Sequence, residues 1–284
     1  MTGVDPSAIT NEPERDAEAA PRVARRFWVG LVAVVVYVAF AAGVANLLTA
    51  WVDPADPAAA YALAHVPVLI PLIVAGGLFV RWAGWNADVW RTPNAFEVAP
   101  RRRWMLVVPL LLLVQPVLTL ASAPWSAWEV APVLLALVVT AMVGFGEELY
   151  FRGILRASLR ERHGETVGLL VTSIAFGLAH SFGGFIHGEP LGFIAFQVFV
   201  TALAGAAYYA AFLATGRLWV PIVLHGLGDF SLLIGGGGFG GASSDADPSP
   251  ANIVIQAVLW GLTAVVLISC IRGDVRARRN RTAR

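Results

Sequence analysis

Two adjacent carboxylates, Glu147 and Glu148, stand near the end of an apolar run that begins at Ala131 and continues into Leu149-Tyr150-Phe151-Arg152. A carboxylate at membrane depth costs about 2.5–3.5 kcal/mol even on the lenient insertion scale. Such groups persist where they are paired or where they do chemistry. Two further apolar segments carry isolated polar groups, His180 in one and His225 with Asp229 in the other. Two histidines and several acids gathered in one buried site would suit the activation of water.

Helical spacing separates the two glutamates. Glu148 and Arg152 are four residues apart, in the order that favours an ion pair on one helix face. Glu147 lies about 100° round the helix, and its own partner four residues on is Phe151. Glu148 is therefore expected to be the salt-bridged acid and Glu147 the free one, suited to act as a general base. His225 and Asp229 share a face, as do Phe176 and His180. Two chemistries fit this set. In one, His180, His225 and Asp229 bind Zn²⁺ and Glu147 deprotonates the bound water. In the other no metal is needed: Glu147 deprotonates water directly, and His225 with Asp229 stabilises the oxyanion.

The elements that must position these groups are membrane helices. The 284 residues are 57% hydrophobic and 14% charged, where a soluble domain has about 45–50% apolar and about 25% charged residues. All 20 basic residues are arginine, which together with the Ala, Gly and Val content suggests a GC-rich bacterial source. The single Cys270 excludes an internal disulfide and a metal site made of cysteines alone. A bilayer core needs about 20 apolar residues per helix. By that measure eight spans are expected: Phe27–Trp51, Tyr61–Val80, Trp104–Leu120, Ala131–Tyr150, Thr166–His180, Leu191–Thr215, Leu218–Ile234 and Ala251–Ile271, the fifth and seventh falling short of full length. The first span is too long for a signal-peptide core.

Charge placement sets an expected topology. Arginines occupy the N-terminal tail, the second loop (Arg81, Arg91, Arg101, Arg102, Arg103), the fourth (Arg156, Arg160, Arg162), the sixth (Arg217) and the C-terminal tail. The other loops carry only acids. This alternation places both termini in the cytoplasm of a multi-pass cell-membrane protein. The chain then divides into a disordered cytoplasmic tail (1–26), N-terminal transmembrane helices (27–130), a catalytic core (131–235), a flexible Gly-rich outer loop (236–250), a last transmembrane helix (251–272) and a basic cytoplasmic tail (273–284). If the fourth helix runs on to Arg160, Glu147 lies ~20 Å deep, beside His180 at ~21 Å and His225 and Asp229 at ~12 and ~18 Å. Three helices then bring polar groups to one level in an all-α bundle with a buried polar cavity.

The same residues carry a family resemblance. Glu147-Glu148-x-x-x-Arg152, Phe176-x-x-x-His180 and His225-x-x-x-Asp229 resemble the three signature motifs of the CAAX-protease and bacteriocin-processing family of intramembrane endopeptidases. That family includes the type II CAAX prenyl proteases and the bacterial abortive-infection proteins. The resemblance covers roughly residues 131–234, in order, spacing and helix placement. It implies an all-helical membrane core with a cavity open towards the cytoplasm. In that core Glu147 activates water, His180 and His225 assist, and residue 229 helps hold the oxyanion. The third motif is often His-x-x-x-Asn and here ends in Asp229. An ionised Asp cannot donate a hydrogen bond, so Asp229 is either protonated, or orients His225, or binds a metal.

The expected partners are a membrane-associated peptide or protein substrate, CAAX-like or leader-peptide, and the lipid bilayer, with no nucleic acid. The expected cofactor is none, or Zn²⁺ in the metal version. Buried Glu, His and Asp also mark ion pathways in transporters, and a non-catalytic scaffold or immunity protein could keep the same fold. Outside the motifs, His65 is read as a packing or interfacial histidine, and Asn46, Gln115 and Gln197 as interhelical hydrogen-bond partners.

Overall fold

The computed structural model describes residues 20–50, 52–53, 55–97, 102–239 and 250–282. The expected N-terminal disorder falls mostly, and the outer loop largely, outside the described residues. The chain is an all-α polytopic membrane protein. Among the described residues, seven helices are long and apolar enough to cross a bilayer: α1 (Phe27–Thr49), α2 (Pro57–Ala83), α3 (Arg103–Ala121), α4 (Val130–Arg160), α5 (Glu165–Ile186), α6 (Leu191–Thr215) and α8 (Pro250–Thr282). The shorter α7 (Trp219–Gly235) has 17 residues, about 26 Å of helix. Many large apolar side chains on the outside are exposed, Leu78, Phe196 and Val254 among them, as a lipid-facing surface requires.

Local signals set several helix ends. The Asp56 carboxylate accepts from Ala59 N at 2.9 Å with Pro57 in the first turn of α2, a strong N-terminal cap. That helix stops at Gly84 and α6 stops at Gly216, with φ of 74° and 70°, values open to glycine at little cost. Several helices outrun the expected spans, α4, α5 and α8 by the most at their C-terminal ends. α5 continues six residues beyond His180 because the polar groups there bond to their own helix, His180 Nδ1 to Phe176 O at 2.8 Å and Ser181 Oγ to Leu178 O at 2.7 Å. α8 runs through the basic tail to Thr282, since arginine and alanine are good helix formers. α4 passes Tyr150 and its helical path continues to His163, the longer course on which the depth argument depends.

Two stretches are π-helical, Ala39–Val44 in α1 and Leu149–Leu155 in α4. Such wide turns are rare and often lie at functional sites. The second begins immediately after Glu148, and all seven of its residues are buried. It sits in the main apolar core with Tyr37, whose ring stacks on Tyr150 at 4.6 Å, and Val80, Phe176 and Phe212.

The connections sort to two ends. At one end Arg25 pairs with Asp88, Thr92 N donates to Gly216 O at 3.1 Å and Leu218 N to Trp90 O at 3.2 Å. Arg156 Nη2 donates to Thr92 Oγ1 at 2.9 Å, and Thr166 N donates to Asp274 Oδ2 at 2.9 Å. The arginine-bearing segments therefore meet one another. At the other end Trp128 Nε1 donates to Ile234 O at 3.1 Å, and Phe239 packs on Trp128 and Tyr61. Although short, α7 has its start at the first end and its finish at the second.

Candidate active site

The site begins with a close approach of α4 to α7. A β-carbon on Gly144 would lie 2.6 Å from Gly226 N, and one on Gly226 would lie 3.0 Å from Thr140 O. Backbone therefore meets backbone there. One turn beyond Gly144 stand Glu147 and Glu148, and beside Gly226 stands His225.

Glu148 holds two helices together. Its Oε1 accepts from Arg152 Nη1 at 2.9 Å, and both side chains are fully buried. The expected ion pair is thus present. The same oxygen lies 3.0 Å from His225 Nδ1, a contact that helical spacing could not foresee. A carboxylate only accepts, so Nδ1 carries the proton and Nε2 points onward. Arg152 rests its guanidinium over the Phe176 ring, 4.1 Å from the centroid, a cation–π contact. A β-carbon at Gly205 would meet Arg152 Nη2 at 2.6 Å, so α6 leaves room for that group.

Beyond His225 three acceptor atoms converge. Glu147 Oε2 lies 3.6 Å and Asp229 Oδ2 3.5 Å from His225 Nε2. Those spacings are at or beyond the limit of a direct hydrogen bond. Among the described residues, buried Glu147 Oε2 accepts from no protein group, and His225 is the basic side chain that Glu147 meets. Side-chain exposure rises from Glu148 (0%) through His225 (5%) and Glu147 (17%) to Asp229 (34%), so the cluster is sealed at Glu148 and open beside Asp229. His180 is half-buried, its ring 4.8 Å from that of Phe176, and it lies within electrostatic reach of Asp229. All six residues singled out from the motifs thus belong to one neighbourhood.

Sequence reading missed four aromatic neighbours. Tyr208 on α6 stacks on His225 with centroids 4.5 Å apart and planes 16° apart. Tyr37 on α1 lies within reach of Glu147 and Asp229, Tyr61 on α2 of Asp229, and His65 of Glu147. His65 Nδ1 bonds to Tyr61 O at 2.8 Å, as a packing histidine would, yet it faces the site. The Tyr208-Tyr209 pair inside a run of alanines was the available signal. Of the expected interhelical amides, Gln115 Nε2 does reach Gln256 Oε1 at 3.3 Å. Asn46 instead bonds within its own helix, to Ala42 O, and Gln197 Oε1 accepts from nothing.

The metal set reads differently in three dimensions. Among the described residues no three His, Cys, Asp or Glu side chains are arranged to hold a metal ion. His225 commits Nδ1 to Glu148, and His180 commits Nδ1 to its own helix. Both bonds use Nδ1 and leave the Nε2 atom of each ring for another partner.

Residues 129–231 match the family model described as "Type II CAAX prenyl endopeptidase Rce1-like". The match starts at the residue before α4, ends within α7 and holds all three motifs, so the resemblance read from them is borne out across that segment. No curated protein matches the chain.

Proposed function

We propose, proceeding from this match of α4 to α7 to the type II CAAX prenyl endopeptidases, that the chain is an intramembrane endopeptidase whose base is Glu147. The observation that supports this most is the convergence of Glu147 Oε2, His225 Nε2 and Asp229 Oδ2. In the resting site, with His225 protonated on Nδ1 alone and Asp229 ionised, these are three acceptors that need a donor among them, and a water molecule has two O–H bonds to give. Glu147, with no guanidinium to neutralise it, takes the proton as the water oxygen attacks the scissile carbonyl, and passes it to the departing amine nitrogen as the tetrahedral oxyanion collapses and the C–N bond breaks. The oxyanion that forms needs hydrogen-bond donors. In their protonated forms His225 and His180 each offer an Nε2–H, since the Nδ1–H of each is already given to Glu148 Oε1 and Phe176 O. A protonated Asp229 adds an O–H, which is how an acid can stand where asparagine is common. Glu148 and Arg152 act through His225: the carboxylate fixes the ring's direction, and the arginine fixes the carboxylate.

The substrate in this reading is a membrane-associated peptide or protein, prenylated at a CAAX-like terminus or bearing a leader. The exposure gradient supports entry beside Asp229. Eight helices cross the membrane, with α7 as the short one, and the arginine-rich end with both termini faces the cytoplasm of a bacterial cell. A cleavage screen with purified protein against membrane-associated peptides, with Glu147→Ala as the control, tests the proposal. Substrate-dependent hydrolysis that the variant lacks is the expected result. Hydrolysis that survives Glu147→Ala overturns it.

A further inference from the structure

Away from the polar cluster, a cavity of about 420 Å³ opens at the arginine-rich end of the bundle. None of its lining residues belongs to the three motifs. Arg102 before α3, Arg160 and Arg162 at the end of the α4 path, and Arg276, Arg278 and Arg281 on α8 all contribute to its wall. They come from three segments distant in sequence, so the fold has gathered this charge. The acids in the wall are already engaged. Glu165 Oε1 pairs with Arg156 Nη2 at 3.1 Å, its Oε2 pairs with Arg160 Nε at 2.7 Å, and Tyr209 donates to it. Both Asp274 oxygens accept from the first amides of α5, Glu165 N at 3.2 Å and Thr166 N at 2.9 Å. Arg102, Arg162, Arg276, Arg278 and Arg281 pair with no carboxylate among the described residues.

We infer that this cavity binds the phosphate group of an anionic phospholipid. Five arginines without carboxylate partners repel one another, and a phosphate diester, its negative charge shared over two non-bridging oxygens, relieves that repulsion through charge-assisted hydrogen bonds. The floor distinguishes a lipid from a free phosphate. Met105, Leu213 and Cys270 line it, giving an apolar base beneath a cationic rim. A headgroup with its glycerol and upper acyl carbons matches both parts, whereas inorganic phosphate matches only the rim. The position also fits. The cavity lies at the ends of membrane helices with the half-exposed Trp104 beside Arg102, at the level where headgroups and interfacial tryptophans lie. Basic pockets between helices at that level suit anionic lipids. This inference depends on the membrane assignment and not on the proposed peptidase chemistry.

The full chain, purified in detergent, is titrated with phosphatidylglycerol or phosphatidylcholine, and the bound lipid is counted by native mass spectrometry. Phosphatidylglycerol should saturate near one per chain, phosphatidylcholine should bind at least about tenfold more weakly, and millimolar inorganic phosphate should not displace the lipid. Arg162→Gln combined with Arg278→Gln and Arg281→Gln should weaken phosphatidylglycerol about tenfold while melting close to the parent. Should that triple variant fail to fold, Arg102→Gln alone is the second variant, with the same weakening expected. Equal retention of both lipids, unchanged affinity in the folded variant, or displacement by millimolar phosphate would each overturn the inference, the last by assigning the cavity to a soluble phosphate ligand.

Discussion

Glu148 Oε1 accepts from both Arg152 and His225, whereas Glu147 Oε2 accepts from no protein group. Replacing Glu147 by glutamine keeps the shape and strands no guanidinium. Activity is expected to fall by about 10²-fold or more, the low end of general-base contributions, with the melting temperature nearly unchanged. Glu148→Gln leaves a buried guanidinium that cannot give up its proton, and breaking a buried pair costs about 3–5 kcal/mol. Adding Arg152→Met removes the stranded charge, so thermal melts should show the double variant regaining part of that stability. Its cleavage rate should stay low, because His225 still lacks its carboxylate. A double variant that recovers activity along with stability would show that Glu148 serves Arg152 alone. The metal question has its own measurement. Purified protein is expected to hold less than stoichiometric zinc and to keep its activity in chelator. One equivalent of zinc lost on His180→Ala would instead establish zinc ligation through that histidine.

The elements matter through their contact surfaces. α4 and α7 approach at Gly144 and Gly226 closely enough that any β-carbon meets backbone, which cannot rotate aside. Overpacking of this kind costs about 1–3 kcal/mol. It also moves α7 away from α4, lengthening the His225–Glu148 and His225–Glu147 distances together. Gly144→Ala is therefore expected to lower both melting temperature and cleavage rate, with the rate lost even where the variant stays folded. Gly77→Ala on α2 is the control, since a β-carbon there meets nothing within 4 Å. Equal behaviour of the two variants would mean that the glycine contact does not set the site. The wide turn at 149–155 belongs to the same scale. All seven of its residues are buried, so neighbouring elements surround α4 there on every side.

At the scale of the whole molecule the testable property is sidedness. The arginine-bearing connections touch one another at one end, and the acidic or neutral ones gather at the other. In a Cys270→Ala background, a cysteine at Glu189 in the α5–α6 connection should react with a membrane-impermeant maleimide in intact cells. One at Arg162 should react only after permeabilisation. The reverse pattern would invert the topology and place the arginine end outside.

Hydropathy, charge alternation and motif spacing are local properties, and they were enough to read the all-α membrane class, the approximate spans, the Glu148–Arg152 pair and the match later found over residues 129–231. Span ends were less legible. A hydropathy window closes at the first polar residues, whereas His180 and Ser181 bond back to their own helix and let it continue. Contacts between helices were not legible at all. That His225 binds Glu148, that Tyr208 stacks on His225, and that His65 and Tyr61 face the acids depend on which faces pack together. Packing is decided by where small residues admit close approach, across segments up to 77 residues apart in the His225–Glu148 contact. Spacing along one helix carries no information about such contacts, because the partner lies on another helix.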